Sequence, residues 1–156
     1  MIGKETDKAG TCSASRWDEH RIRLLEKLFE EIKYLGKGDL VIVEGKSDRQ
    51  SLRILGVSSK IVTKKELEGI GIVRGGPKTK RPRLILLPDF DKEGEENMRR
   101  WRKILERVGS VDDSIWRKLR HLTKGEVRDI ESLPTLARKF RLIREEIWLD
   151  PDEEVS

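Results

Sequence analysis

Leu84-Ile85-Leu86-Leu87-Pro88-Asp89-Phe90-Asp91-Lys92-Glu93-Gly94 decides how the rest of the chain is read. Four consecutive apolar residues are too short a run for a helix and suit a strand covered on both faces, as in a parallel sheet. Pro88 stops the strand, because proline has no N–H to give to the ladder. Asp89, Asp91 and Glu93 follow at once, and Met98, Trp101, Leu105 and Val108, with Ile104 at the edge, then share one face of a helix predicted over 93–108.

The same grammar recurs upstream. Asp39 leads into Leu40-Val41-Ile42-Val43, a second buried strand, and Glu44-Gly45 follows, where a residue without Cβ lets the backbone turn sharply or approach a ligand. Ser47 with Gln50 is a capping-box spacing that predicts a helix over 48–55. Lys60-Ile61-Val62 reads as a short strand, and Thr63 with Glu66 repeats the box ahead of a brief helix over 64–68. Residues 74–83 hold five basic residues, two glycines and two prolines, which is loop chemistry. Helices are predicted over 113–122 and over 129–146, the latter interrupted near Pro134. Before the first strand, Ile22, Leu25, Phe29 and Ile32, widened by Leu24, Leu28 and Leu35, give residues 17–35 helical periodicity.

Strand and helix alternating three times is the order of an open, mostly parallel α/β sheet of Rossmann-like type, flanked by helices, with an added N-terminal helix. In such sheets ligands bind beyond the carboxyl ends of the strands, where both acidic segments fall. Acids gathered there repel one another unless a cation compensates them. Mg²⁺, with Mn²⁺ as a substitute, suits oxygen-only donors and is ordinarily held by one or two carboxylates plus phosphate oxygens, whereas zinc would call for His or Cys. The plainer reading makes Asp91 and Glu93 partners of a helix dipole and Glu44 a surface acid.

Val41-Ile42-Val43-Glu44-Gly45-Lys46-Ser47-Asp48 and Leu86-Leu87-Pro88-Asp89-Phe90-Asp91-Lys92-Glu93-Gly94 resemble the two Toprim signatures of topoisomerases, bacterial primases, old-family nucleases and ribonuclease M5. Lys124-Gly125-Glu126-Val127-Arg128-Asp129-Ile130-Glu131-Ser132-Leu133 is similar to the small stand-alone Toprim proteins of archaea. The resemblance implies a Toprim domain over 39–133, with Glu44 as general acid or base and Asp89, Asp91 and Glu93 serving Mg²⁺. Pro88 departs from the small polar residue relatives often carry. Around that domain the reading sets a flexible leader over 1–15, the N-terminal helix within 16–38, a C-terminal helix over 134–149 packing on the domain, and an acidic tail over 150–156.

The chain's 156 residues suffice for one domain, and a net charge of +5 with a pI near 9.4 favours a polyanionic partner. Arg99, Arg100, Lys103 and Arg107 fall on one side of the 93–108 helix, opposite its apolar stripe. With Lys46 and the loop residues Arg74, Lys78, Lys80, Arg81 and Arg83 they are the candidate nucleic-acid contacts, and further clusters lie at Arg117/Lys118/Arg120 and Arg138/Lys139/Arg141/Arg144. Trp101 belongs to the core stripe, whereas an exposed Trp17, Trp116 or Trp148 would stack on unpaired bases, so RNA or a single strand is the favoured ligand. A lone cysteine, Cys12, excludes an internal disulfide and a cysteine-based zinc site. No apolar run approaches the roughly 20 residues of a membrane span, and the polar first residues are unlike a signal peptide, which points to a cytoplasmic protein without a membrane partner. One Asn, one Gln and abundant charge suit a thermophilic source. Three functions remain open: a nucleic-acid binder, a Mg²⁺-dependent nuclease resembling ribonuclease M5, and a subunit whose N-terminal helix docks on a protein partner or its own copy.

Overall fold

A computed structural model describes residues 17–36, 38–70 and 82–143. Four strands, β1 (Leu40–Val43), β2 (Lys60–Thr63), β3 (Arg83–Leu86) and β4 (Ser110–Asp112), form one sheet in the order β2-β1-β3-β4. Every pairing is parallel, with Val41 opposite Ile61 on one side and Ile85 on the other, and Leu84 opposite Val111. The helices are α1 (Glu19–Lys33), α2 (Lys46–Ile54), α3 (Lys64–Ile70), α4 (Lys92–Leu105), α5 (Ser114–Thr123) and α6 (Leu133–Lys139), with a 3₁₀ turn over Ile130–Ser132 before α6. The architecture is therefore the expected α/β one.

The two central strands are the continuous apolar runs, and Val41, Ile42, Val43, Leu84, Ile85, Leu86 and Leu87 are all fully buried. That follows from helices covering both faces, which removes the alternation a half-exposed strand would show. Strand order reverses between β1 and β3, since β1 is followed outward by β2 and the chain then returns to β3 on its other side. The crevice at such a reversal is the usual ligand position in open α/β sheets.

Three local expectations change. The fourth strand was missed because Ser110-Val111-Asp112 has a single apolar residue, and an edge strand needs no more. α2 starts earlier than the Ser47 spacing indicates: Gly45 is its N-cap, and the Asp48 carboxylate reaches back to the Gly45 N–H at 3.0 Å. Pro134 opens α6 instead of interrupting a longer helix, since proline is tolerated in a first turn. The Thr63/Glu66 box is present with both reciprocal bonds, 3.0 and 3.2 Å. No position from 144 onward, nor the leader, lies within the described residues.

α1 buries Leu25, Leu28, Phe29 and Ile32 and packs against α5, so most of its apolar face is used within the chain. Leu24 stays 39% exposed. The Arg21 guanidinium donates to the Leu122 carbonyl at 2.8 Å, and the Trp17 indole N–H donates to Glu126 at 2.9 Å while its ring lies 5.1 Å from Phe140. No described helix is long and apolar enough to cross a membrane.

Candidate functional site

Glu44 and Asp89 leave the carboxyl ends of the adjacent strands β1 and β3, and they meet. Glu44 Oε2 accepts the Asp89 backbone N–H at 3.0 Å, which ties the two strand-end loops together. Glu44 is therefore more than a surface acid, since it has a structural task. Gly45 is extended, with φ −149°, so the turn after Glu44 does not demand glycine. Gly94 does demand it: a Cβ there would lie 1.8 Å from the Asp89 carbonyl oxygen, because the first turn of α4 is pressed against that loop.

A third segment closes over the same edge. The Phe90 N–H donates to the Arg128 carbonyl at 2.8 Å, and Asp89 Oδ1 accepts from the Ile130 N–H at 3.1 Å. Val127 and Ile130 are buried on either side of Arg128, and Ser51 of α2 donates to the Glu131 carbonyl at 3.3 Å. The strap thus brings Asp129 and Glu131 beside Glu44, Asp48 and Asp89.

Electrostatics records the crowding. Burial pushes the Asp89 carboxyl up to about 7 against the pull of the Ile130 N–H, and the charges of Asp48, Glu44 and Asp129 push it the same way. Asp48 is raised to about 6, chiefly by burial and then by Glu44, Glu131 and Asp129, while its bond from Gly45 opposes the shift. Both groups answer mainly to burial, one backbone N–H and other acids. Among the described residues no cation is ion-paired with Glu44, Asp48 or Asp89.

Asp91 and Glu93 stand apart from this group. Asp91 caps α4, accepting the Gly94 N–H at 2.7 Å, and both side chains are exposed in the helix's first turn. Asp48, Asp129 and Glu131 join the edge although none was singled out from sequence. Asp48 sat inside the first quoted motif, and only its reach back to Gly45 and its burial reveal it. Asp129 and Glu131 follow no strand, so the rule that located Glu44 and Asp89 passes over them.

Among the described residues the side-chain donors at this edge are carboxylate oxygens, the type that Mg²⁺ accepts, with no His or Cys beside them to favour zinc. Among the described residues no three His, Cys, Asp or Glu side chains are disposed to hold an ion between them. The set fits a hydrated Mg²⁺ gripped by one or two carboxylates and completed by a ligand, rather than a preformed cage.

The basic residues divide. Arg99, Arg100, Lys103 and Arg107 are exposed on α4 and the turn after it, with Arg100 bonded to Asn97 at 3.1 Å, and Lys46 is exposed at the start of α2. Arg83 is committed across the β3–β4 pair to Asp112, at 2.7 and 2.9 Å. Arg74, Lys78, Lys80, Arg81, Arg144 and Trp148 lie outside the described residues. Trp101 is core, as its stripe implied. Trp116 is buried too, stacked on Phe90 at 6.1 Å with its N–H on the Pro88 carbonyl at 2.7 Å, while half-buried Trp17 is engaged by Phe140 and by Arg21, 3.8 Å above its ring. None of these three offers a free face to a base.

No protein-family model matches the chain. It is 31% identical over 128 residues to the UPF0292 protein of Methanosarcina barkeri, covering 78% of this chain and 86% of that one. The UPF0292 proteins of Pyrococcus furiosus (31% over 119 residues, 75% and 86% covered) and Methanocaldococcus jannaschii (32% over 128 residues, 80% and 97% covered) are similar as well. Among solved structures, an Aquifex aeolicus protein aligns with a TM-score of 0.53 at 23% identity, over 69% of this chain and 96% of that one, a likeness of fold alone.

Proposed function

The chain belongs to the UPF0292 family, and from that premise we propose that it is a Toprim-type protein that binds nucleic acid across a Mg²⁺-assisted carboxylate edge. The observation that carries this reading is the convergence of acids from three separated segments on the crevice between β1 and β3, none of them ion-paired among the described residues. Such an edge repels a polyanion until it is neutralised. Asp89 would hold the ion with Asp48 beside it, and exposed Asp91 and Glu93 would reach it through its bound waters. When bound, Mg²⁺ would offset these charges and offer coordination positions to phosphate oxygens. Lys46 and the α4 face of Arg99, Arg100, Lys103 and Arg107 are the protein's own phosphate contacts, in register with the backbone and indifferent to base identity.

A second reading, phosphodiester cleavage, has one observation in its favour. Glu44 is fixed by the Asp89 N–H at the rim of the crevice, where a carboxyl group could exchange a proton with a phosphate or water oxygen. The test is binding and cleavage of a labelled RNA hairpin with a single-stranded tail, and of the matching single-stranded DNA, with Mg²⁺, Mn²⁺ or chelator. Binding that needs the divalent ion, falls with salt and loses its ion dependence in Asp89→Asn is expected, with the RNA intact. Cleavage by the wild type that disappears in Glu44→Gln, with a mock preparation clean, would move the conclusion to the nuclease. No binding under any condition sinks both readings.

A further inference from the structure

The guanidinium groups sort by what they hold, and one at the carboxylate edge holds nothing. Arg83, Arg102, Arg117 and Arg120 are each paired with a carboxylate: Asp112, Asp113, Asp113 and Glu95 respectively. Arg128 has an exposed side chain and no ion pair among the described residues, although Glu126, Asp129 and Glu131 are its close chain neighbours. Two of those acids are engaged elsewhere: Glu126 by the Trp17 indole N–H, and Asp129 by the Ser132 N–H and hydroxyl at 2.9 and 2.6 Å.

Its backbone, by contrast, is held tightly. The Arg128 carbonyl accepts from Phe90, the Ile130 N–H two residues on binds the Asp89 carboxylate, and Val127 and Ile130 are buried on each side. A long cationic side chain thus rises from an immobilised strap at the residue whose carbonyl makes one of the bonds that fasten the strap to the Asp89 loop, and two residues before the N–H that makes the other. The side chain is not needed for packing, and the bonds that fasten the strap are made by backbone and by Asp89. What an exposed, unpaired guanidinium on a backbone-anchored strap suits is a phosphate, whose oxygens it meets through two parallel N–H donors.

We propose that Arg128 is the phosphate clamp of this site, gripping two oxygens of a backbone phosphate next to the one that faces Asp89. This rests on the nucleic-acid reading above and adds to it a contact that positions the strand on the edge. α4 supplies diffuse attraction, whereas Arg128 supplies a fixed point. A residue with this role loses more when replaced by lysine than charge alone explains, because an ammonium group lacks the planar fork.

The experiment is fluorescence anisotropy with the labelled tailed RNA hairpin and the single-stranded DNA, in Mg²⁺, on the wild type, Arg128→Ala, Arg128→Lys and, as a control at an exposed α1 cation paired with Glu19, Arg23→Ala. Arg128→Ala is expected to weaken binding roughly 10- to 100-fold, the range for a charge-assisted contact. Arg128→Lys should recover only part of it, Arg23→Ala should stay near wild type, and all four should melt alike. Wild-type binding that Arg128→Ala leaves within about twofold overturns the clamp and spares the broader reading. So does full recovery by Arg128→Lys, which would reduce the residue to a plain charge. Absence of wild-type binding overturns both.

Discussion

Asp48 and Asp89 each keep a backbone hydrogen bond and are still raised, to about 6 and about 7, so the folded protein holds protons that the unfolded chain releases near 3.8. The sign follows from that difference. Stability contributed by these groups is full below about pH 4 and is lost as pH rises through about 6 and about 7, because the native state must then carry repelling buried charges. Asn in place of Asp48 retains an oxygen for the Gly45 N–H and removes the charge. Asp48→Asn is therefore expected to gain about 1–2 kcal/mol over wild type at about pH 8 and nothing near pH 4, measured by urea unfolding at both pH values. A variant less stable at both would mean that the carboxylate's bond to Gly45 outweighs its repulsion. Sites that give up stability in this way are commonly functional ones.

At the scale of elements, α4 has two faces with separate tasks. Met98, Trp101 and Leu105 fasten it to the sheet, while Arg99, Arg100 and Lys103 face outward with Arg107 just beyond. Reversing Arg99, Lys103 and Arg107 to Glu should leave the melting temperature nearly unchanged, weaken nucleic-acid binding for every sequence tested, and lower the slope of log affinity against log salt by about 3, one per lost phosphate contact. An unchanged slope would make this face merely solvated. The elements also show what the sequence could reveal. β1 and β3 were legible because burial on both faces leaves an uninterrupted apolar run, and Glu44 and Asp89 were legible because each directly follows one. β4 was hidden, since an edge strand with one apolar residue carries no pattern. The strap's stretch was quoted for its resemblance, but its hold on the site was hidden for another reason: it is one backbone bond, from the Phe90 N–H to the Arg128 carbonyl, and one from the Ile130 N–H to the Asp89 carboxylate, which no periodicity announces. Arg83 looked available because the acid that takes it, Asp112, lies 29 residues away and meets it only through parallel pairing.

For the whole molecule, an uncompensated acidic edge is set into a chain of net charge +5. On the proposed reading the long-range attraction for a polyanion and the local repulsion at the crevice would oppose each other, and a divalent ion would reconcile them. Binding of such an ion would displace the protons held by Asp48 and Asp89. Millimolar Mg²⁺ is accordingly expected to raise the melting temperature by several degrees at about pH 8 and scarcely at all at about pH 5. Calorimetry with Asp89→Asn alongside checks it, since the ion should no longer help that variant. Equal effects at both pH values would place the ion elsewhere on the surface. Relatives that carry the UPF0292 name are archaeal, with thermophiles among them, which agrees with the charge-rich, amide-poor composition.

Trp116 lies under all of this, its indole N–H on the Pro88 carbonyl and its ring stacked on Phe90, the residues on each side of Asp89. An indole so placed shares the local field of the loop and is buried away from bulk water. Its emission colour and lifetime answer to that carbonyl, that neighbouring ring and the Arg120 guanidinium 5.1 Å from the centre of the indole. The protein therefore carries an optical gauge built into the floor of the crevice, and with the other tryptophans replaced by phenylalanine the state of the acidic edge becomes visible as light, without any label on the ligand.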